Sequence, residues 1–459
     1  MTLLAAFIEI VGDWRPVFCQ PRSHLRAVRQ ALGGLLCLGR RTLTRIIWTN
    51  GGQHRSWSAE YHLHSRSPWD PQALFTPILR RGLEWCPGRY IGMGVDDTGL
   101  RKTGRTILQA FYQRDPLSPP FWVNLMFGLR FLQASLLVPL YRRGPVGTRA
   151  LPIRFQCAPV VKRPPRKAPK EQWKRYRAAK KLHNLSQLFV GMMRQLRQAL
   201  DAAGAVAKTL VLAVDGSFCN RTVFAVTLVG VQILARARKD AVLCFRAAAG
   251  SRRFYSTDKF RPQQVRQDNA RPWKTTKLFY GGKRRRVRYK EVGSVYWQGG
   301  ARRRPLRLLV VAPTPYRKRK SGPFYYRQPA YLLTTDLTAP AHTLLQIYFD
   351  RWQIEVNHRE EKDTLGIGQA QLWNVTSVPR QPVLAVAAYS ALLLASLLTF
   401  GATRGDAYAP LPKWRRNAKR PSCLDLVTLL RKEAAEQPQL LAPLGLHPSA
   451  EAFTSAAAA

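Results

Sequence analysis

Acidic residues are scarce in this chain, and the places where they lie indicate chemistry. The 459 residues include 26 Asp and Glu against 74 Lys and Arg. The pair Asp96 and Asp97 follows the apolar run IGMGV, and Asp215 follows LVLAV. Each run predicts a buried strand, and a carboxylate at the carboxyl end of such a strand lies at the rim of an α/β sheet, where sites form. Taken singly, each acid fits a turn or a helix cap equally well.

A helical stretch predicted from near Ala341 to Gly366 supplies a third acidic site, in the segment of residues 348–374. Four of its residues follow one another at offsets of 3, 4 and 7: Tyr348, Arg351, Glu355 and Lys362. At about 100° per residue, a regular α-helix places them in a stripe about 60° wide. The other acids of the segment would lie on other sides of that helix: Asp350, Glu360 and Glu361. The spacing therefore favours Glu355, although an Arg–Glu pair on a solvated helix has the same pattern.

Carboxylates from three distant segments are the ligands that Mg²⁺ prefers, because it binds a few carboxylates together with substrate phosphates. Two such ions about 4 Å apart can activate an attacking hydroxyl and stabilise the leaving oxygen in a phosphodiester displacement. We therefore expect two Mg²⁺ ions as cofactors, with Mn²⁺ as a substitute.

The charge of the chain points to a polyanionic partner. The formal net charge is +48 and the pI is near 11.1. Nucleic acid or an anionic membrane could neutralise this excess, whereas an ordinary metabolic enzyme has no need of it. The basic run of residues 161–181, which has ten Lys and Arg against one Glu, is interpreted as a contact with phosphates. Seven scattered cysteines without a C-x-x-C pair favour a reducing cytosol over a disulfide framework or a zinc site.

The spacing Y-x2-R-x3-E-x6-K in residues 348–362 resembles the signature of the YREK group of DDE transposases from bacterial insertion sequences. The segments VDDTG and LAVDGS are similar to those that supply the first and second aspartates of that family. The resemblance covers about residues 89–400. It implies a ribonuclease-H-like catalytic core interrupted by a β-rich insertion, and cut-and-paste cleavage and joining of DNA.

The resemblance also implies roles for individual residues. Asp97, which directly precedes Thr98, would be the first catalytic and metal-binding acid, with Asp96 as the alternative; Asp215 and Glu355 would be the second and third. Three residues would hold DNA phosphates and an everted base: Tyr348, Arg351 and Lys362. Trp297 is a candidate for the insertion-domain tryptophan beside that base. Double-stranded DNA, both element ends and target, would be the partner of a homodimer in the bacterial cytoplasm at the nucleoid.

The fold class predicted is α/β with a mainly helical N-terminal domain. The predicted segments are a DNA-binding domain (1–88), the first part of the core (89–249), the β-rich insertion (250–340), the second part of the core with the catalytic helix (341–402) and a C-terminal tail (403–459). Residues 89–104 predict a strand that ends at its acids, and residues 121–142 predict two strands or a hairpin.

Two other functions are compatible with the composition. The first is a non-catalytic, basic DNA-binding protein derived from a transposase. The second is a membrane-associated protein anchored by residues 383–400, which are 18 residues without a charge. We favour a buried core helix for that segment, because Tyr389, Ser390, Ser396 and Thr399 dilute its apolar character and no second span is present. We therefore expect no membrane partner.

Overall fold

The computed structural model describes residues 1–447 except 116–117, 120, 159, 320 and 416–417. The chain divides into two compact units. The first unit comprises Met1–Pro87, Asp97–Asn184 and Ile354–Ala459, and the second comprises Gly88–Asp96 and Leu185–Gln353. The end of the predicted tail, residues 448–459, lies outside the described residues.

The strands are β1 (Tyr90–Arg101), β2 (Phe111–Arg114), β3 (Leu125–Val138), β4 (Arg149–Cys157), β5 (Thr209–Val214), β6 (Val231–Arg236), β7 (Leu243–Arg246), β8 (Tyr255–Phe260), β9 (Lys274–Tyr280), β10 (Lys283–Tyr296), β11 (Pro305–Val311), β12 (Pro315–Arg317), β13 (Phe324–Tyr326) and β14 (Ala330–Thr334). The helices are α1 (Leu3–Gly12), α2 (Pro21–Leu36), α3 (Leu43–Thr49), α4 (Ser58–Ser65), α5 (Thr76–Leu83), α6 (Lys170–Leu182), α7 (Leu185–Ala202), α8 (Arg221–Phe224), α9 (Pro262–Gln267), α10 (Gln298–Ala301), α11 (Ala341–Asp350), α12 (Gln353–Arg359), α13 (Ser377–Phe400), α14 (Cys423–Glu436) and α15 (Pro438–Leu441).

The first unit is built around α13, whose apolar side chains are buried among the helices and strands that surround it. It packs against α1, α2 and β4. Within the unit, β3 pairs antiparallel with β2 and then with β4. The 18-residue window of α13 that is apolar enough to cross a membrane is 78% buried in this way. This burial supports the interpretation of residues 383–400 as a core helix.

The second unit contains a mixed sheet. The first residues of β1 pair parallel with β5, and β5 pairs parallel with β6. Beyond β6 the order continues with β14, β11, β10, β7 and β8, and β9 pairs with β10. The segment predicted as an insertion, 250–340, is rich in strands, but β11 and β14 join the same sheet as β5 and β6. These two apolar strands of the segment are thus buried beside β6, and the β-rich insertion over 250–340 stays a prediction.

The structure also groups the ends of the chain differently from the five predicted segments. Residues 1–87 share a unit with the C-terminal part, since α1 packs on both α13 and α14. The backbone N of Leu4 donates a 2.6 Å hydrogen bond to Oε2 of Glu433 on α14. The segment predicted as a tail thus contributes α14, with Leu426 and Leu430 buried, to the core of the first unit.

Two predictions about individual strands need correction. Strand β1 does not end at its acids but continues through Asp96 and Asp97 to Arg101, because an arginine pairs with each carboxylate and Thr98 and Leu100 are buried beyond them. Residues 121–142 contain one strand, β3 (Leu125–Val138), rather than two, since β3 is long enough to pair with β2 and β4 in succession. The strand predicted before Asp215 is confirmed as β5.

Candidate active site

In the second unit, the carboxyl ends of three adjacent parallel strands form one rim. Val95 of β1 is in register with Val214 of β5, and Val214 is in register with Ala235 of β6. The next residues along the three strands are Asp96, Asp215 and Arg236. Neighbouring strands lie about 4.8 Å apart, so these three residues follow one another along the rim. Two acids from segments far apart in sequence are thereby neighbours.

Asp215 also caps the turn that follows it, as its position before a glycine in the sequence allows. Its Oδ1 accepts hydrogen bonds from the backbone N of Ser217 at 3.0 Å and from the Ser217 hydroxyl at 2.6 Å. These bonds cap the short 3₁₀ turn Gly216–Phe218 that follows β5. The cap fixes the carboxylate at the strand end, which is the property that a metal ligand needs.

Asp96 faces the helix that precedes the predicted catalytic acid. Nη1 of Arg351 lies 3.6 Å from its Oδ2, and both side chains are largely buried in the second unit. Gly92 of β1 allows α11 to approach closely. A Cβ atom on Gly92 would lie 3.0 Å from Cγ1 of Ile347, whereas one on Gly94 would lie 3.5 Å from Cγ of Arg351, which is an ordinary contact. Helix packing therefore explains the glycine at position 92.

Asp97 points to the opposite face of β1, since successive side chains of a strand alternate. In the first unit, Nε of Arg130 on β3 donates a 2.6 Å hydrogen bond to Oδ2 of Asp97. Sequence analysis did not identify Arg130, because nothing in the order of residues shows that β3 lies beside the end of β1. The two neighbouring acids thus have different cationic partners.

The predicted single helix over the signature residues is wrong. α11 ends at Asp350, Arg351 and Trp352 form a turn, and α12 begins at Gln353. After Arg359 the backbone becomes a π-helix over Glu360–Thr364. The angles of one regular helix therefore do not apply to the predicted stripe. Its first two residues, Tyr348 and Arg351, belong to the second unit, and its last two, Glu355 and Lys362, belong to the first.

Internal contacts explain why the chain departs from a regular helix there. The Tyr389 hydroxyl donates a hydrogen bond to Glu360, and Glu361 is buried in the first unit. Burial raises the pKa of the Glu361 carboxyl to about 8. The wider π turn lets the consecutive acids Glu360 and Glu361 both face the interior of the unit. Regular α-helical spacing would place them on different sides of the helix.

Asp350, the third acid of the segment besides Glu355, also has a hydrogen-bond partner inside its unit. Nε2 of Gln346 donates a 2.9 Å hydrogen bond to Oδ1 of Asp350, and the same amide pairs with the backbone of Phe279 on β9. Asp350, Glu360 and Glu361 are thus engaged inside their units. Glu355 is half-buried on α12.

Trp297 lies at the end of β10, directly before α10. Its ring packs edge to face against Phe224 at 5.8 Å between centroids and covers Gly300, where a Cβ would lie 2.1 Å from the indole. The side chain is only partly exposed. Its predicted contact with DNA stays a prediction.

A basic cleft opens beside Asp215 in the second unit. It has a volume of about 530 Å³ and includes Gly216, the residue after Asp215. Its cationic lining comes from β6, the loop after it and α9: Arg236, Arg238, Lys239 and Arg266. Arg238 is paired with Asp240 at 2.7 Å, and none of the lining residues is acidic. Such a cleft attracts phosphates, and sequence analysis missed it because separate segments supply its cations.

Within either unit, the described residues contain no group of three or more His, Cys, Asp or Glu side chains that could hold a metal ion. The predicted acids are divided between the units, with Asp97 and Glu355 in the first and Asp215 in the second. Their joint action as a metal-binding triad therefore stays a prediction.

A family model described as DDE superfamily endonuclease matches residues 19–304 of the chain. The matched region contains Asp97 and Asp215 and ends before Glu355. No curated protein matches the chain.

Proposed function

The chain belongs to the DDE superfamily endonuclease family, a transposase-type family that acts on DNA, and we propose that it is a cut-and-paste transposase of the YREK group from a bacterial insertion sequence. In this proposal it hydrolyses DNA at the element ends and joins the exposed 3′-hydroxyl groups to target DNA. Catalysis of these steps, rather than binding of DNA alone, would depend on acidic residues that hold divalent ions.

The observation that carries the proposal is the rim of the second unit. It places Asp96 and Asp215 at the ends of two neighbouring parallel strands, and Arg236, a lining residue of the basic cleft, follows on the third. Ligands of α/β sheets bind outside the carboxyl ends of parallel strands. Acids beside a basic cleft at such a position suit chemistry on a phosphodiester.

We assign Asp97, Asp215 and Glu355 as the catalytic acids because of the resemblance of their segments to the DDE signature, and we keep Asp96, the acid that lies beside Asp215 at the rim, as the alternative to Asp97. Their donor set is made of hard carboxylate oxygens, which fits Mg²⁺, with Mn²⁺ as a substitute. When bound, two such ions would polarise the attacking hydroxyl and stabilise the leaving oxygen.

The other signature residues would position the substrate. Arg351 and Lys362 supply positive charge for backbone phosphates, and the Tyr348 ring offers a surface on which an unpaired base can stack. The charge-assisted hydrogen bond from Arg130 occupies Oδ2 of Asp97, so Arg130 would compete with a divalent cation for that carboxylate. The parallel strands β1, β5 and β6 suit a ribonuclease-H-like core, and the role of Trp297 beside an everted base belongs to the same proposal.

Cut-and-paste transposition brings two ends together, so we propose a homodimer assembled on paired ends, in the bacterial cytoplasm at the nucleoid. The family match does not favour a non-catalytic DNA-binding protein. The buried state of α13 does not favour a membrane anchor.

The test compares two isosteric variants in a nicking assay on plasmid DNA that carries the element ends. Glu355→Gln is expected to abolish cleavage in Mg²⁺ while leaving DNA binding largely intact. Asp363→Asn is the control, because Asp363 is an exposed acid of the adjoining helical segment, and it should cleave like the unmodified chain. Cleavage by Glu355→Gln at the unmodified rate would refute the assignment.

A further inference from the structure

Helix α6 differs from the other long helices because it packs no side chain into a core. All of its 13 residues are exposed or half-buried, and none is buried. A helix that is polar on all sides bridges to another body or is held by its own side-chain pairs. The contacts of α6 decide between these two cases.

Its cations fall into two groups. Arg175 lies 3.6 Å from Glu171, and the Lys180 ammonium lies 5.7 Å from the centre of the Tyr176 ring. These two cations have partners on the helix itself. The remaining four are exposed, and none of them forms an ion pair with an acid in the described part of the chain: Lys170, Lys174, Arg177 and Lys181.

These four cations lie on one side of the helix. Their offsets of 4, 3 and 4 residues place them within about 60° of one another at 100° per residue. The row is about 16 Å long, at 1.5 Å rise per residue. Of the half-buried residues, Tyr176 and Ala179 lie on the other side, and Trp173 borders the row next to Arg177. Like charges at such spacings destabilise a helix unless an anion lies against them.

We propose that α6 docks on the phosphate backbone of duplex DNA through this row of four cations. The inference rests on the proposed function only in taking DNA as the ligand, and it assigns the contact to one face of one helix. Three of the four residues are lysines, which bind phosphate as point charges. They lack the planar guanidinium of arginine, which can form two hydrogen bonds with the edge of one base. The contact therefore adds affinity equally for every sequence.

The test uses two double variants that remove the same charge from the same helix. Lys174→Gln with Arg177→Gln removes two cations of the row, and Arg175→Gln with Lys180→Gln removes the two that are already partnered. Binding of the full chain to short duplexes of element-end and of arbitrary sequence is measured by fluorescence anisotropy in EDTA, between about 50 and 200 mM salt.

Each phosphate contact contributes about 0.9 to the slope of log K against log salt concentration. The row variant should therefore reduce the slope by about 2 on both duplexes, and the control variant by less than half of that. A third variant, Lys174→Arg with Arg177→Lys, keeps both charges and should keep the slope of the unmodified chain. Comparing it with the row variant separates the loss of charge from the loss of the helix. Circular dichroism checks that the helix content is unchanged.

Equal reductions of the slope by both double variants would overturn the proposal. They would show that the total charge of the helix attracts DNA and that the row of four cations makes no specific contact. An unchanged slope for the row variant, or a loss confined to the element-end duplex, would overturn it as well. Because the assay contains no divalent metal and reads no cleavage, its result is independent of the Glu355→Gln experiment.

Discussion

Nε of Arg130 donates a 2.6 Å hydrogen bond to Oδ2 of Asp97. On the opposite face of the same strand, Arg351 lies 3.6 Å from Asp96. Each of two consecutive acids thus has its own guanidinium, and each pair lies within one unit of the structure. The two pairs give the neighbouring carboxylates separate environments that mutation can tell apart.

The first prediction concerns Arg130. Its charge competes with a divalent cation for Asp97, so Arg130→Gln should lower the Mg²⁺ concentration needed for half-maximal cleavage. A partly exposed pair is worth about 1 kcal/mol, which corresponds to about a fivefold change. Titration of Mg²⁺ in the nicking assay measures this concentration. Arg130→Lys is the control and should stay near the unmodified value, whereas a higher Mg²⁺ requirement for Arg130→Gln would contradict the role given to Arg130.

A second prediction separates the two neighbouring acids. Asp97→Asn should abolish cleavage, because the proposal makes Asp97 a metal ligand. Asp96→Asn should leave measurable cleavage, because the proposal gives Asp96 an ion pair with Arg351 rather than a metal ion. The strand register makes Asp96 a serious competitor, since it places Asp96 beside Asp215. Cleavage rates of the two variants, measured under the same conditions, show which acid is catalytic. If Asp96→Asn abolishes cleavage and Asp97→Asn does not, the catalytic role belongs to Asp96.

The third prediction concerns pH and the buried acid Glu361. Its pKa is raised by burial from 4.5 to about 8. The folded chain keeps this carboxyl protonated while the unfolded chain releases the proton, so the free energy of unfolding should fall as the pH rises from about 4.5 to about 8. The loss at the upper end is at most about 5 kcal/mol, at 1.36 kcal/mol for each unit of pKa.

Glu361→Gln should remove most of this pH dependence, since the amide cannot ionise. Urea midpoints measured at several pH values across the window test this, with Asp363→Asn as the exposed control that should behave like the unmodified chain. A Glu361→Gln chain with the same decline in stability as the unmodified chain would show that another group titrates.

Local patterns predicted part of the fold. The apolar runs before Asp96 and Asp215 correctly predicted β1 and β5, because a buried parallel strand is a continuous hydrophobic segment. The π-helix at Glu360–Thr364 was not predictable, since it depends on burial of Glu361 and on the contact of Glu360 with Tyr389 from a distant helix. The single helix that the sequence predicted was wrong there and at the turn of Arg351 and Trp352, where α11 ends and α12 begins.

The predictable part of the site is likewise the local part. The offsets from Tyr348 to Lys362 can be counted along the chain, whereas the pairing of Arg130 with Asp97 depends on strand order. The basic cleft beside Asp215 was not predictable either, because residues of β6 and α9 come together only after the sheet has formed. Contacts made across the sheet carry no signal in the spacing of a single sequence.

Radical cleavage of the protein itself tests most directly whether the three acids meet at one divalent-ion site. Fe²⁺ bound in place of Mg²⁺ produces hydroxyl radicals with ascorbate and peroxide, and these cut the nearby backbone. The account predicts three sets of fragments, with ends near Asp97, Asp215 and Glu355, all suppressed together by excess Mg²⁺ and by Glu355→Gln. Cuts near only one of these residues, or cuts unaffected by Mg²⁺ and by Glu355→Gln, would contradict it.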